Sequence, residues 1–356
     1  MRTRRIAVAI ALVSAVTASG LLTACDPKTG PAASASPSGA ASGGAGGTGG
    51  TSGGSASGGT SGGSTGGSTG GTSGGGTGVP VSVNGTGGTM LTISNGTSKV
   101  VMNGAVVDFG VVVRDLAWSP DGRKAAFIDG NGNLDTANAD GSGRVVVARN
   151  PGGQTWSHPA WQVVKADPQY GNIPRNNLFF VSGGGAGSRL MEVPTAGGTP
   201  AVLPLEHEAG DNVPTLPQTG NTWINGSGSY NGASVYANPG TGDVYIRDDY
   251  IRQQGSEVTN GSEPALIPGQ VESGIVFVRS VGGHDHVFVE RFGSSTADST
   301  FTDLTPHATT DYTEPAVSPD GRTVAVRTPS GVAVVPIDGS AAPRLISSVP
   351  GLPAYR

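Results

Sequence analysis

Asp115-Leu116-Ala117-Trp118-Ser119-Pro120-Asp121-Gly122-Arg123 decides the fold, because Glu314-Pro315-Ala316-Val317-Ser318-Pro319-Asp320-Gly321-Arg322 repeats it 199 residues later. Leu116 to Trp118 reads as a short inner strand. Ser119-Pro120-Asp121-Gly122 then has the residues of a type I turn, with Ser first, Pro second and Gly fourth. A second strand is predicted over Lys124 to Ile128, a turn at Gly130 to Asn133, a third strand over Leu134 to Asn138, and a fourth over Arg144 to Ala148 beyond Asp140-Gly141-Ser142. The later copy takes the same steps, with strands over Pro315 to Val317, Thr323 to Arg327, Val332 to Pro336 and Pro343 to Ile346. The interval from the central Ala to the Asp of Asp-Gly-Ser is 23 residues in one copy and 22 in the other. Such a repeat is one supersecondary unit copied around an axis.

Weaker copies begin at Pro159-Ala160-Trp161, Pro214-Thr215-Leu216-Pro217 and Pro264-Ala265-Leu266. Five units are thereby placed, and each buries its faces only against its neighbours, so the array must close into a ring. Met90 to Ser94, Lys99 to Met102 and Val106 to Phe109 supply three further strands that lack an inner one. Leu352-Pro353-Ala354-Tyr355-Arg356 is the missing strand, returning from the far end of the chain to complete the first unit. The expectation is an all-β chain, a six-bladed β-propeller closed by a C-terminal strand and preceded by a disordered linker. Its 278 residues give about 46 per blade, a usual size for such units.

These motifs resemble the TolB-like propeller repeat, a relative of the WD40-like repeats, whose unit runs Pro-Ala-Trp-Ser-Pro-Asp-Gly, then a strand, then Asn-Ala-Asp-Gly-Ser. Ala117 to Gly122 and Asn138 to Ser142 match it closely, and Pro315 to Gly321 with Asp338 to Ser340 match it well. What the resemblance implies is a shape and, at most, partner binding. Chemistry does not transfer with a superfold.

The N-terminal region carries a different message. Met1 to Arg5 is basic and Ile6 to Val16 is apolar but too short for a permanent membrane span, which marks residues 1–24 as an export signal peptide. Leu22-Thr23-Ala24-Cys25 resembles the bacterial lipobox, and Cys25 is the single cysteine of the chain. Lipidation there implies two acyl chains on a lipoprotein held at the outer face of the cytoplasmic membrane. Arg4-Arg5 leaves the general and the twin-arginine export routes both open. Residues 25–78, which follow, are almost wholly Gly, Ser, Thr, Ala and Pro beyond Lys28 and read as a flexible tether. The Gly-x-Ser-x-Gly matches at Gly62 to Gly66 and Gly66 to Gly70 lie inside that tract, without the strand-turn-helix context of a nucleophile elbow. Residues 79–356 form the propeller.

Without the three arginines of the signal peptide, 18 basic residues face 26 acidic ones, a net charge of −8, which argues against nucleic acid as a partner. Of the 21 basic residues 17 are Arg, a bias resembling that of proteins from GC-rich actinobacterial genomes. No cofactor is expected, and with Cys25 lipidated no disulfide forms. His284 and His286 are weak metal candidates, two residues apart on a hairpin with no third ligand in view. Asp129, Asn131, Asn133 and Asp135 alternate as in a calcium loop, but Leu134 stands where that loop requires Gly and no closing Glu follows. Trp118 and Trp161 share one repeat slot, which argues for packing between blades.

Two insertions stand out, Gln162 to Asn176 in blade three and Gln218 to Asn231 in blade four. Equivalent connections of a meander emerge on one face, so the insertions would sit side by side and present Tyr170, Trp223 and Tyr230 as a recognition surface. The functional expectation is a membrane-anchored extracytoplasmic module that binds or scaffolds a protein or cell-wall component on that loop face. The alternatives are a propeller hydrolase or lyase using Asp211, Asp248 or Asp249 at the channel mouth, and an accessory of a membrane sensor kinase.

Overall fold

A computed structural model of the chain describes residues 83–169, 173–207, 215–249, 254–269, 273–294 and 298–356. The signal peptide, Cys25, the linker, Tyr170 and Asp211 lie outside the described residues. Those residues form 25 strands in six sheets, each sheet one blade. Blade two is β4 (Arg114–Trp118), β5 (Lys124–Ile128), β6 (Leu134–Asn138) and β7 (Val145–Ala148). The predicted second and third strands of this blade are matched residue for residue. Blade six repeats the pattern with β21 (Thr313–Val317), β22 (Thr323–Thr328), β23 (Gly331–Pro336) and β24 (Arg344–Ser347).

The turn that identifies the repeat closes as its residues dictate. Gly122 N–H donates to Ser119 O at 2.7 Å, Ser119 Oγ donates to Asp121 Oδ1 at 2.6 Å, and Lys124 N–H reaches Ser119 Oγ at 3.0 Å. Ser318, Asp320 and Thr323 reproduce these bonds in blade six. The serine hydroxyl holds the carboxyl of Asp121, and likewise of Asp320, below its ordinary value. Gly122 and Gly321 sit at φ +66° and +67°, where an L side chain is strained.

Blade one confirms the closure. The C-terminal strand β25 (Leu352–Tyr355) pairs antiparallel with β1 (Leu91–Ser94), aligning Thr92 with Ala354 and Ile93 with Pro353, while β2 (Lys99–Met102) and β3 (Ala105–Asp108) complete the sheet. A second stitch reinforces the seam. Gly85 N–H donates to Ile346 O, and Ser348 N–H donates to Val83 O, so the chain entering blade one first binds the outer edge of blade six. The inner strands are edge strands facing the axis. This explains why Pro159, Pro264, Pro315 and Pro353 are accommodated in them, since an edge strand has N–H positions that need no ladder partner.

Blade three comprises β8 (Trp156–Val164), β9 (Arg175–Ser182), β10 (Arg189–Pro194) and β11 (Ala201–Val202). Blade five comprises β17 (Ser262–Leu266), β18 (Gly274–Val281), β19 (His284–Arg291) and β20 (Thr300–Asp303). Blade four departs from the expected plan in two ways. Its inner strand is β13 (Trp223–Gly226), not the copy expected over Pro214 to Pro217, of which Pro214 lies outside the described residues, and β14 (Ser234–Asn238), β15 (Asp243–Asp248) and β16 (Gln254–Asn260) follow. It also gains a fifth strand, β12 (Glu206–His207), which pairs parallel to β16. Leu216 instead packs with Leu203, Leu205 and Ile224 between blades three and four, and Gln218 Nε2 ties the segment to Leu205 O at 2.8 Å.

The apolar core lies between blades rather than at the centre. Ile128, Leu134, Trp161 and Phe180 fill the layer between blades two and three, and Val276, Val287, Val324 and Val326 that between five and six. Leu91, Ile93 and Val101 meet Ala325, Val332 and Ile346 across the closing seam. The tryptophans are part of this packing. Trp118 Nε1 donates to Thr92 Oγ1 at 2.9 Å, and Trp161 Nε1 to Ala117 O at 3.2 Å, each bond crossing to the preceding blade.

Thr92 is the node of the seam, because its hydroxyl accepts from Trp118 and donates to Ala354 O at 2.8 Å. Thr92→Val keeps the volume and orphans a buried indole N–H, so it should cost about 1–3 kcal/mol. The check is a lower urea midpoint with an unchanged m value.

Candidate functional site

The inner strands of the six blades surround a cavity of about 150 Å³ on the axis. Four of them carry a non-glycine residue at positive φ in one repeat slot: Asp115 (52°), His158 (50°), Glu263 (50°) and Glu314 (54°). Each sits at a break in the pairing register of β4, β8, β17 or β21 with the next strand of its blade. A bulge there turns the side chain out of the ladder. Left-handed backbone costs an L residue roughly 1–2 kcal/mol, so the surrounding structure must hold all four in place.

The side chains show what holds them. Asp115 Oδ2 accepts the backbone N–H of His158 in the next blade at 3.1 Å, and Glu263 Oε2 accepts that of Glu314 at 2.5 Å. Each carboxylate is a clasp from one blade to its neighbour. Glu314 takes Arg327 Nη1 on both oxygens, at 3.1 and 3.2 Å. Burial pushes the Glu263 carboxyl up to about 7, with Glu314 and Asp285 adding repulsion against the opposing pull of Arg327. Burial also raises Glu314, helped by Asp115, and lowers His158 despite Asp115. Single-motif reading missed this slot. The signal was available in the alignment of the units, where Asp115, His158, Glu263 and Glu314 each stand two residues before the central Ala.

Trp223 does not lie on a loop. It begins β13, lines the axial cavity, donates its indole N–H to Pro264 O at 2.9 Å, and holds its ring 4.3 Å from that of His158. The insertion assigned to 218–231 therefore contains the inner strand of its blade. The true connection is the turn through 227–233, and Gly226 is required where the strands approach, since a Cβ there would stand 2.5 Å from Trp161 O. In blade three, part of the insertion is strand extension, with Gln162 to Val164 pairing Asn177 to Arg175.

The two connections do meet on the face where the inner strands end. Lys165 Nζ lies 3.5 Å from the centre of the Tyr230 ring, Lys165 N–H reaches Tyr230 O at 3.4 Å, and Val164 bridges Asn231. Tyr230 is 36% exposed and Ile173 73%.

The remaining candidates are dispersed. His284 and His286 begin β19 rather than forming the hairpin tip, which is Gly282-Gly283. They address different carboxylates, His286 Nδ1 lying 2.8 Å from Asp303 and His284 Nδ1 3.3 Å from Asp311. Among the described residues no three metal-ligating side chains converge. Between Asp129 and Asp135 the positive charge is Arg144, whose Nη1 is 3.8 and 3.1 Å from their carboxylates. Asp248 and Asp249 close and follow β15, the third strand of blade four, and do not line the axial cavity. Asp249 is buried against Arg247 at 2.8 Å.

No protein-family model matches the sequence, and no curated protein is similar to it. Solved structures share the fold. TolB from Acinetobacter baumannii superposes with a TM-score of 0.50 at 14% identity over 74% of this chain, which covers 65% of that protein, less than two thirds of its length. A protein described as a TolB from Agrobacterium tumefaciens gives 0.46 at 18% identity, covering 70% of this chain and 86% of that one. A chain of a nidogen/laminin complex gives 0.49 at 11% identity, covering 74% and 97%.

The Glu263 clasp makes stability depend on pH. Its carboxyl binds a proton more tightly in the fold, at about 7, than in the unfolded chain, at 4.5, so the folded state loses stability as pH rises from about 4.5 to 7. Glu263→Gln keeps an acceptor for Glu314 N–H and removes the charge. At pH 8 it should stabilise the protein by about 2–3 kcal/mol and at pH 4 change little, as read from urea unfolding at both values.

Proposed function

On the premise of a TolB-like six-bladed propeller fold, we propose that the chain is an extracytoplasmic binding module, held on the membrane by lipid at Cys25, that captures a protein or cell-wall component on its loop face. The observation that carries this reading is the joining of two neighbouring-blade connections into one surface through Lys165 and Tyr230, with Ile173 exposed on the first of them. Exposed aromatic and aliphatic side chains on a rigid rim are favoured contact residues, and a propeller holds such loops without moving its core. A lipid anchor and a long Gly-rich leash would let the module search for a partner near the membrane. The alternative of a hydrolase or lyase finds no support in Asp248 and Asp249, which lie off the axis. The slot carboxylates of Asp115, Glu263 and Glu314 are engaged by backbone N–H groups or Arg327.

Two measurements test the reading. Cys25→Ser should move the protein from the membrane fraction to the soluble one. Tyr230→Ala combined with Ile173→Ser should abolish most cross-linked partner recovered from intact cells, while Phe301→Ser, on the outer strand of blade five, leaves it unchanged. Equal recovery from the loop variant would remove the loop face from consideration.

A further inference from the structure

The joined loops rest on a buried joint. Asp249 follows β15, and its carboxylate takes Arg247 Nε at 2.8 Å, with both side chains buried. Arg247 Nη1 reaches on to Pro204 O in the link between blades three and four, and its guanidinium lies over the Phe179 ring at 5.8 Å. From β9, Arg175 Nη1 donates to the backbone O of Asp249 at 3.4 Å. Gly232, in the blade four connection, packs on this joint. A Cβ at Gly232 would stand 3.3 Å from Asp249 Cβ and 2.4 Å from Val164 Cγ2, so the connection lies directly against both. Val164 is followed by Lys165, and Gly232 is preceded by Tyr230 and Asn231, the residues through which the two blades' connections meet. A displacement at Asp249 therefore reaches the Lys165–Tyr230 contact within two residues of chain.

Burial opposes the charge at this place. It raises the Asp249 carboxyl against the pull of Arg247 and Arg175, and apolar side chains of similar volume often fill such a buried site as stably or more so. What the pair adds is direction, because the guanidinium fork fixes where the carboxylate, and with it Asp249 Cβ, can stand. We propose that Asp249 is the positioning residue of the loop face: held by Arg247, it fixes Gly232 and Val164 so that Lys165 and Tyr230 are presented as one preformed surface. The inference rests on the reading of that face as the site of capture and specifies how the site is kept ready. A preformed surface loses little conformational freedom when a partner docks, so Asp249 raises affinity without touching the partner.

The test reads the surface directly, by NMR of the chain from Cys25 onward with its four lysines isotopically labelled at Cε. The Lys165 signal is shifted upfield by the Tyr230 ring beneath it, and Tyr230→Leu gives its unshifted position. Asp249→Ala should move the Lys165 signal to that position, at a lower melting temperature because Arg247 is left without its partner. Arg247→Met combined with Asp249→Ala strands no charge and should show the same loss in a stably folded ring, while the signals of Lys99 on β2 and Lys124 on β5 stay where they are. Asp249→Asn keeps the shape and an acceptor for Arg247 Nε, and should retain most of the shift. A Lys165 signal unmoved in the folded double variant, equal loss in Asp249→Asn, or matching changes at Lys99 and Lys124 would overturn the proposal. Cross-linked partner recovery from intact cells separates this inference from the reading it rests on. A fall of about tenfold in the double variant, with Tyr230 and Ile173 intact, supports both. Loss of the Lys165 shift with undiminished recovery keeps Asp249 as the positioning residue and removes the loop face as the site of capture.

Discussion

Pairing of four residues at one end of the chain with four near the start of the described region holds the ring shut. Each blade buries its faces only against neighbouring blades, so an open seam would expose Leu91, Ile93 and Val101 on one side and Ala325, Val332 and Ile346 on the other. Burial of a large aliphatic side chain is worth about 1.5–3 kcal/mol, so the seam carries a stake comparable to the net stability of an ordinary domain. The ladder between β1 and β25 sets the register, Thr92 bonds it to Trp118 of the next blade, and Gly85 and Ser348 fasten the outer edge. No disulfide links any of these parts, as Cys25 is the only cysteine.

Repeat chemistry made the blades legible. Ser119-Pro120-Asp121-Gly122 and its copy encode a turn whose hydrogen bonds are local, so the residues and the geometry correspond directly. Closure was legible because a ring of blades with one inner strand missing has only one place for Pro353-Ala354-Tyr355. Blade four was not. Its inner strand, Trp223-Ile224-Asn225-Gly226, lacks the Pro-Ala-aromatic signature, since Gly226 answers to a close approach of Trp161 backbone rather than to the repeat. Thr215-Leu216-Pro217 carried part of the signature without the role. The pairing of β12 with β16 is equally invisible to pattern, because two residues in parallel register carry no periodicity.

The candidate site divides in the same way. Tyr230 drew notice because it lies on an insertion, which interrupts the repeat. The axial residues went unremarked because they belong to the repeat itself, and a position that recurs in four blades looks like packing when each blade is read alone. Their strained backbone appears only in three dimensions. Strain recurs at one slot in four blades, and two of those residues, Asp115 and Glu263, reach across to the backbone N–H of the slot residue in the next blade.

The Thr92–Ala354 bond spans 262 residues, while almost every other strand pair is a hairpin between consecutive elements. Folding of this molecule is accordingly split between rapid local meanders and one slow long-range event, because loop-closure entropy falls almost entirely on the last step. Until that step occurs, the first blade keeps an empty strand slot. The terminal strand of a second molecule fits that slot as well as its own, so concentration during refolding decides between a closed monomer and a strand-exchanged assembly.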